Sequence, residues 1–365
     1  MFWQEYDKPV AVSHRAVTKL LRHPSFGRQM PEDLRPPVPD HLQDFYGIEE
    51  HSMLEIDGAR HSKLRRMGIN AFRRDRVAAM APEISMIASD LIAAFPEGPF
   101  DFLSAFANVL PVRVIARFIG VPEDMATQFL VWSHAMVGMY QAGRSAAMER
   151  SANDAALAFR TYLEDFISYR RANPDDDLLS QLIEAEAKEA TISQDELIST
   201  IILLLNAGHE ATVHTLGNGL HTLLRLNQPY EAMNPTNVTA AIEEIIRFDP
   251  PLHLFDRIAQ EDTELFDLKV KRGDRVAACL AAANRDARVW AAPDRFDPTR
   301  TGSIPASFGG GAHFCIGAPL ARLELQIAFP AVYRPTSELR LVEPARYADI
   351  YHFHGLERLM VERVL

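Results

Sequence analysis

Residues 308–317, Phe-Gly-Gly-Gly-Ala-His-Phe-Cys-Ile-Gly, restrict the chain to few folds. Their glycines let the backbone adopt positive φ and approach a flat ligand closely. A helix is predicted to begin near Ala318, so Cys315 lies just before a helix N-terminus, where unpaired N–H groups favour a thiolate over a thiol. One soft anionic ligand without a neighbouring cysteine suits an axial position on haem iron. A buried structural cysteine beside a turn is the alternative interpretation.

A dinucleotide-binding loop does not explain these glycines. The pair Gly309-x-Gly311 lacks the third glycine of that fingerprint, and no apolar strand leads into it. Two interpretations of this loop remain: Cys315 is a ligand of haem iron, or it is a buried structural cysteine beside a turn.

Composition excludes several other classes of protein. Two cysteines, Cys279 and Cys315, are too few for a disulfide scaffold or a four-cysteine zinc site, and they indicate a reducing compartment. The net charge of −11 argues against a general nucleic-acid binder. The most apolar run, residues 201–205, is far shorter than the ~20 residues of a membrane-spanning helix. We therefore expect a cytoplasmic chain with neither a membrane nor a nucleic-acid partner.

Hydrophobic periodicity predicts a mainly α chain with small β sheets, organised as one domain over residues 1–365. Ser193 followed by Glu196 is a capping-box pattern that opens a long apolar helix. Turn signals within residues 252–280 predict short β hairpins, and extended segments are predicted at the C-terminus. Helices are predicted at 11–22 and 61–94, and the helical pattern continues over about 100–170. After a loop at 173–177, further helices are predicted up to about 189, from the cap at 193 to about 226, at about 237–248 and from about 318.

The segment around Cys315 resembles the signature Phe-Gly-x-Gly-x-His-x-Cys-x-Gly of the cytochrome P-450 family. The matching residues are Phe308, Gly309, Gly311, His313, Cys315 and Gly317, and the family's next helix is matched by Leu320, Ala321, Arg322 and Glu324. This resemblance implies a cytochrome P-450 fold, heme b (iron protoporphyrin IX) as the cofactor and the Cys315 thiolate as its iron ligand. Phe308, Gly309 and Gly317 would contact the cofactor.

A second resemblance is the family's Glu-x-x-Arg helix, matched by Glu244 and Arg247. The two residues are at i,i+3 spacing and share one helix face. The family's third partner is the arginine of a Pro-x-Arg-Phe segment, which here is Arg295. The implied role is a buried charge network that supports the backbone beneath the haem.

Four side chains are expected around the haem propionates. His61 and Arg65 are one helical turn apart, and the resemblance adds His313 and Arg257. A largely buried dianion requires such donors.

Residues 207–212 of the long helix, Ala-Gly-His-Glu-Ala-Thr, resemble the family's oxygen-binding segment. Ala207 and Gly208 would leave room for a flat ring and a diatomic ligand, and Glu210 would relay protons from solvent. The family's usual threonine position holds Ala211. Thr212 is the next residue, about 100° further around the helix, so it is not an automatic replacement.

The resemblance implies a haem-thiolate monooxygenase that inserts one atom of O2 into a small or medium apolar organic substrate. No flavin or nicotinamide motif is present, so electrons should come from a separate ferredoxin or flavodoxin with its own reductase, and the enzyme should be a monomer. Ala211 leaves open a peroxide-driven peroxygenase, and a non-catalytic haem-binding sensor is a further alternative. The expected pocket residues are Leu42, Met53, Met136, Met139, Leu203, Leu252, Leu254 and Phe353.

The family pattern also includes elements that we do not find at the start of this sequence. Members usually have a further helix and strand before the segment equivalent to residues 8–22. We therefore expect the edge of the β sheet and one wall of the access channel to differ here.

Overall fold

The structure is a computed structural model that describes residues 1–141, 143–189, 192–334, 339–349 and 353–364. It confirms a mainly helical chain with small β sheets. Within the described residues, no helix combines the length and the apolar character that crossing a bilayer requires.

The helices agree well with the sequence pattern. They are α1 (His14–Arg22), α2 (Gln43–Glu49), α3 (Gly58–Ala71), α4 (Arg74–Ala79), α5 (Ala81–Ala93), α6 (Val109–Ile119), α7 (Ala126–Val137), α8 (Ala146–Ala172), α9 (Leu178–Glu189), α10 (Gln194–Arg225), α11 (Val238–Phe248), α12 (Leu280–Ala283) and α13 (Ala318–Val332). The first helix begins three residues later than predicted, because Ser13 caps it by accepting from the Ala16 N–H.

Helix α10 organises the molecule around itself. The predicted capping box is present, with the Ser193 hydroxyl accepting from the Glu196 N–H and the Glu196 carboxylate accepting from the Ser193 N–H. The helix packs against α6, α7, α11 and α13. Most of its residues are buried, as expected of a helix that is apolar around much of its circumference. Any functional segment on α10 is therefore held rigidly.

Within the described parts of the chain, the strands form four small sheets. They are β1 (Phe2–Trp3), β2 (Lys8–Ala11), β3 (Phe26–Gly27), β4 (Phe100–Asp101), β5 (Leu254–Ala259), β6 (Thr263–Leu265), β7 (Leu268–Val270), β8 (Arg275–Cys279), β9 (Leu339–Leu341), β10 (Arg346–Tyr347), β11 (Leu356–Arg358) and β12 (Met360–Arg363). The largest has the order β1-β2-β8-β5-β3, in which only β2 and β8 pair in parallel. Strands β6 and β7 form a hairpin, as predicted, and the others pair as β4-β12-β9 and β10-β11.

Helix α11 carries a buried ion pair. Arg247 donates from Nε to Glu244 Oε2 over 2.6 Å and from Nη2 to Oε1 over 2.7 Å, and both residues are buried. Arg247 Nη1 also donates to the carbonyl oxygens of Asn284 and Pro293, over 2.8 and 3.0 Å. The pair therefore ties α11 to the segment that leads into the cysteine loop.

The prediction that Arg295 is the third partner is wrong. Arg300 donates from Nε to Glu244 Oε2 over 3.0 Å, whereas the exposed Arg295 contributes its backbone carbonyl, which accepts from Arg247 Nη2 and Arg300 Nη2. The physical reason is a turn in which the Asp297 N–H donates to Glu244 Oε1 over 2.8 Å. That turn presents the backbone of residue 295 and the side chain of residue 300 to the carboxylate.

Candidate active site

The cysteine loop depends on glycine at two positions. Gly309 and Gly311 have φ of 72° and 69°, values that favour glycine. A Cβ on Gly311 would also lie 2.2 Å from the carbonyl oxygen of Leu21 on α1. The loop closes when the Cys315 N–H donates to the Phe308 carbonyl over 2.9 Å. The glycines therefore allow the loop to pack closely against α1 and to present Cys315.

Cys315 lines a large cavity, whereas Cys279 at the end of β8 is not among the residues that line it. Burial raises the pKa of the Cys315 thiol, although the N–H groups of Gly317 and Ala318 and the charge of Arg65 act to lower it. The expected N–H donors are thus present, but in the protein alone burial outweighs them. A coordinated metal ion would reverse this balance, because a coordinating thiol loses its proton.

The cavity brings together most of the predicted site residues. Its wall includes Arg65, Ala207, Gly208, Glu210, Ala211, Thr212, Phe308, His313, Cys315 and Gly317. His61, Arg257 and Gly309 are not among the residues that line it. Of the expected pocket residues, Met53, Met136, Leu203, Leu252 and Phe353 line the wall. Leu42, Met139 and Leu254 do not, because they are buried in the hydrophobic core instead.

Two histidine rings lie against each other beside this cavity, with their planes 35° apart, and His313 lines its wall. The rings of His61 and His313 have centroids 4.3 Å apart. Burial lowers the pKa of His61 to about 4, assisted by His313 and Arg65. Its Nε2 is buried and has no hydrogen-bond partner among the described residues. Arg65 donates from Nη2 to the carbonyl oxygen of Phe314.

Asp57 is a site residue that the sequence analysis missed. Its Oδ1 lies 2.9 Å from His313 Nε2, and its Oδ2 accepts from the N–H groups of Arg28 and Gln29, over 2.7 and 2.8 Å. Burial acts to raise the pKa of Asp57, but these hydrogen bonds prevail and lower it to about 2. The sequence feature that could have identified Asp57 is its position immediately before Gly58, the first residue of α3.

The fourth expected propionate ligand, Arg257, is buried on β5 and donates from Nη1 to the Asp256 carbonyl over 3.0 Å. Burial and the nearby charge of Arg28 lower its pKa to about 10. Burial and Arg28 both disfavour the charged guanidinium, so an anionic group beside Arg257 would stabilise its cationic form.

This donor set fits a haem. The cavity holds one thiol, the cationic Arg65 lines it, and the buried His61 Nε2 beside it has no partner of its own. A flat dianionic group with a metal ion that binds thiolate matches these properties.

The α10 part of the wall has hydroxyl groups beside Ala211, but not at Ala211 itself. Thr212 lines the cavity, as does Thr215, which donates from Oγ1 to the Ala211 carbonyl over 2.7 Å. The sequence analysis did not identify Thr215, although its i+4 spacing places it on the same helix face as Ala211. Gly208 has a packing role as well, because a Cβ there would lie 2.6 Å from Ile115 Cγ1 on α6.

Glu210 is surrounded by polar side chains. Its Oε1 lies 3.3 Å from His134 Nε2 and 3.5 Å from His209 Nε2, and it accepts from Ser133 Oγ over 3.4 Å. Its Oε2 lies 4.0 Å from His214 Nε2. Burial acts to raise the pKa of Glu210, but His209 and the other histidines outweigh it and lower the pKa below its ordinary value. Glu210 therefore connects the cavity to the half-exposed His134.

One end of the cavity has a polar pair. Tyr140 donates from Oη to Glu49 Oε2 over 2.8 Å, and both residues line the wall. The two residues are far apart in sequence, and no local pattern signals their contact.

Residues 353–355, which we call the C-terminal turn, lie directly against α10. Leu252 and Phe353 form an isolated antiparallel bridge, and the His354 N–H donates to the Pro251 carbonyl over 2.7 Å. A Cβ on Gly355 would lie 1.9 Å from His214 Nδ1. Because residue 355 is a glycine, the backbone of the turn can lie this close to the His214 side chain on α10.

Comparison with known proteins agrees with this geometry. A family model described as Cytochrome P450 matches residues 231–334. The Vitamin D(3) 25-hydroxylase of Pseudonocardia autotrophica is 35% identical over 341 residues, which cover 91% of this chain and 81% of that protein.

Two solved structures are similar over the whole chain. One is P450BioI in complex with an acyl carrier protein ligated to hexadec-9Z-enoic acid, with a TM-score of 0.92, 29% identity and coverage of 100% of this chain and 94% of that one. The other is myxobacterial cytochrome P450 CYP267B1 in complex with myristic acid, with a TM-score of 0.89, 32% identity and coverage of 100% and 93%.

Proposed function

The chain belongs to the cytochrome P450 family, a family of haem b monooxygenases with a cysteine thiolate ligand, and from this premise we propose that Cys315 binds the iron. The observation that carries the proposal is that Cys315 lines the same cavity as Ala207, Gly208, Glu210, Ala211 and Thr212 of α10. The haem, when bound, supplies O2 activation, in which one oxygen atom enters an organic substrate and the other leaves as water.

The chain's own residues hold that cofactor in place. His61, Arg65, Arg257 and His313 compensate the propionates, and Phe308, Gly309 and Gly317 allow close packing against the ring. The support for this assignment is the close contact of the His61 and His313 rings and the His61 Nε2 that has no hydrogen-bond partner among the described residues.

Glu210 transfers protons between the solvent-exposed His134 and the cavity. Ala211 has no hydroxyl group, so the last proton donor must be another group. Thr212 and Thr215 both line the cavity, and a substrate hydroxyl or an ordered water is the other source. The missing hydroxyl also favours a second candidate function, a peroxygenase, because a peroxide co-substrate arrives with its protons.

The substrate is a medium-sized apolar molecule with one hydrogen-bonding group. The wall is apolar along Met53, Met136, Leu203 and Phe353, and the Glu49–Tyr140 pair gives it one polar end. The relatives named above bind or act on fatty acyl chains and vitamin D, which have the same division between a long apolar body and one polar group.

Electrons come from a separate ferredoxin or flavodoxin that docks on a basic surface of α3 and α4. Arg66 and Arg74 are exposed there, and neither makes an ion pair within the described residues. An acidic partner would be attracted to these charges.

The experiment is a reconstitution with ferredoxin, ferredoxin reductase, reduced nicotinamide cofactor and ¹⁸O2. Substrates are first selected by their ability to shift the ferric haem from low to high spin. Incorporation of one ¹⁸O atom per product supports a monooxygenase. Product formed with hydrogen peroxide alone at an equal or higher rate supports the peroxygenase, and spin shifts without any product under either condition support a haem-binding sensor.

A further inference from the structure

Three potential metal-ligand atoms converge on the side of α10 where Glu210 meets His134. His134 Nε2 on α7, His209 Nε2 and Glu210 Oε1 all lie within 4.8 Å of one another. The two histidine nitrogens lie 3.3 and 3.5 Å from the shared carboxylate oxygen. A tetrahedral ion with bonds of about 2.0–2.2 Å separates its ligand atoms by roughly 3.3–3.6 Å. The distance from each histidine nitrogen to Glu210 Oε1 therefore matches that of a tetrahedral site, and the two nitrogens lie within 4.8 Å of each other.

His209 is oriented as a metal ligand. The residue is fully buried, and its Nδ1 lies 2.7 Å from the Leu205 carbonyl oxygen. That acceptor places the ring proton on Nδ1 and leaves the lone pair on Nε2. The Nε2 atom has no hydrogen-bond partner among the described residues. A histidine bound to metal through one nitrogen commonly donates its other N–H to a carbonyl in this way.

The other two ligands complete the arrangement. Ser133 orients Glu210 by donating to its Oε1 over 3.4 Å. The side chain of His134 is 55% exposed, whereas those of Glu210 and His209 are 6% and 1% exposed. An ion therefore has an approach from solvent past His134 to a buried carboxylate and imidazole.

We infer that His134, His209 and Glu210 form a binding site for a divalent cation of the Zn²⁺ type. Two imidazoles and one carboxylate are the ligand set that Zn²⁺ accepts with a fourth position left for water. The ion would bridge α7 and α10, outside the position of the haem iron.

The described residues contain a second cluster, Asp249, His253 and His354, which fits an ion less well. His253 and His354 stack face to face, with centroids 4.1 Å apart and planes 23° apart. Asp249 already accepts from Tyr347 Oη and pairs with His354 Nε2 over 3.0 Å. Its carboxylate thus already binds a hydroxyl group and a histidine, whereas in the first cluster the buried His209 Nε2, 3.5 Å from Glu210 Oε1, makes no hydrogen bond among the described residues.

Binding of Zn²⁺ has a consequence that rests on the proposed function of Glu210. The ion would occupy the carboxylate oxygen that faces His134, so the proton path from solvent would be interrupted. We expect Zn²⁺ to lower the rate of turnover and the product formed per reduced cofactor, and EDTA to restore both.

The test is calorimetric titration of Zn²⁺ into the ferric holoenzyme after metal removal with a chelating resin. We expect one site in the wild type and at least a tenfold loss of affinity in His134→Ala. The matched control is His41→Ala, because His41 is 48% exposed and lies 2.9 Å from Glu149 but belongs to neither metal-ligand cluster of the described residues. A second control, His354→Ala, reports binding at the other cluster.

Retained affinity in His41→Ala and His354→Ala, together with its loss in His134→Ala, supports the site. The absence of Zn²⁺ binding in the wild type would overturn it, as would a loss of affinity in His354→Ala with His134→Ala unchanged. These measurements use the resting enzyme and do not depend on turnover. Binding that requires His134 but leaves turnover unaltered would support the site and contradict the proton path through Glu210.

Discussion

Arg247 donates to both carboxylate oxygens of Glu244 at a place where neither side chain reaches solvent. Five further groups complete the environment of this pair: the Arg300 guanidinium, the Asp297 N–H and the backbone carbonyls of Asn284, Pro293 and Arg295, which accept from Arg247. Loss of Glu244 therefore leaves two cations without their carboxylate, and loss of Arg247 leaves the carboxylate with Arg300 as its remaining cation among the described residues.

Glu244→Ala or Arg247→Ala should destabilise the fold by about 3–5 kcal/mol, because the first leaves Arg247 and Arg300 without their carboxylate and the second removes the closer of the two cations that balance the buried Glu244. We expect apoprotein or aggregate, measured as haem per chain and as the midpoint of thermal unfolding. The control is Glu243→Ala on the same helix. Glu243 pairs with Arg322 where both side chains are partly exposed, so its loss should cost no more than about 1 kcal/mol. Equal behaviour of the two glutamate variants would contradict this account.

Cys315→Ala should abolish the red-shifted Soret band that the carbon-monoxide adduct of a thiolate-ligated ferrous haem shows. Cys279→Ala should retain that band, because Cys279 is not among the residues that line the cavity. The measurement is a reduced carbon-monoxide difference spectrum of each variant. The same band in Cys315→Ala as in the wild type would show that another residue holds the iron.

Ala211→Thr should raise the product formed per reduced cofactor with a poorly fitting substrate, because it adds a hydroxyl donor to the cavity wall. With the natural substrate the added group can displace an organised water and lower the rate. In the same assay Glu210→Ala should slow turnover strongly, and Thr212→Ala should change it by less than tenfold, or about 1.4 kcal/mol in the barrier. An unchanged ratio in Ala211→Thr for both substrates would mean that position 211 does not control proton delivery.

Arg66→Glu should slow electron transfer from an acidic ferredoxin, and the wild-type rate should fall as ionic strength rises. Among the basic residues of this region, Arg60 is paired with Glu196 and Arg73 with Asp75, so the exposed Arg66 and Arg74 are the ones available to a partner. The control is Arg150→Glu on α8, which has an equally exposed side chain elsewhere. Stopped-flow reduction under carbon monoxide measures the rate, and insensitivity to salt and to Arg66→Glu would indicate another docking face.

Glu324→Gln should remove a loss of stability that occurs as the pH rises from 4.5 to about 8. Burial raises the pKa of Glu324 from 4.5 to about 8, and its Oε1 has no hydrogen-bond partner within the described residues. Between these two values the folded protein retains a proton that the unfolded chain has released, so the free energy of unfolding falls as pH rises. The slope is at most about 1.4 kcal/mol per pH unit. Urea unfolding from pH 5 to 9 should give a flatter profile for Glu324→Gln, and the exposed Glu357→Gln should follow the wild type.

Local sequence patterns predicted the parts of the site that depend on local geometry. The glycines around Cys315, the capping box at Ser193 and the i,i+3 spacing of Glu244 and Arg247 each express a constraint within a few residues. The assignment of Arg295 was wrong because a local segment, Pro-x-Arg-Phe, does not show which side chain faces Glu244. That depends on how the turn after this segment is hydrogen-bonded.

The contacts that were missed are long-range. Asp57 meets His313, Tyr140 meets Glu49 and His134 meets Glu210 only because separate helices and loops pack together. Periodicity reports which face of a helix is buried, but it does not report which residue of another helix that face meets. The apolar pocket shows the same limit, since Leu42, Met139 and Leu254 are as hydrophobic as the residues that line the wall.

Gly355 determines how this enzyme can be engineered for other substrates. The C-terminal turn contributes Phe353 to the pocket and lies so close to α10 that even a methyl group at position 355 would displace the His214 ring. His214 lies one turn from Glu210 on the same helix, so such a displacement would affect both the residue that we propose as the proton relay and the shape of the pocket. A mutant library aimed at substrate range should therefore randomise Leu252 and Phe353 and keep residue 355 constant, because variation there would confound selectivity with coupling efficiency.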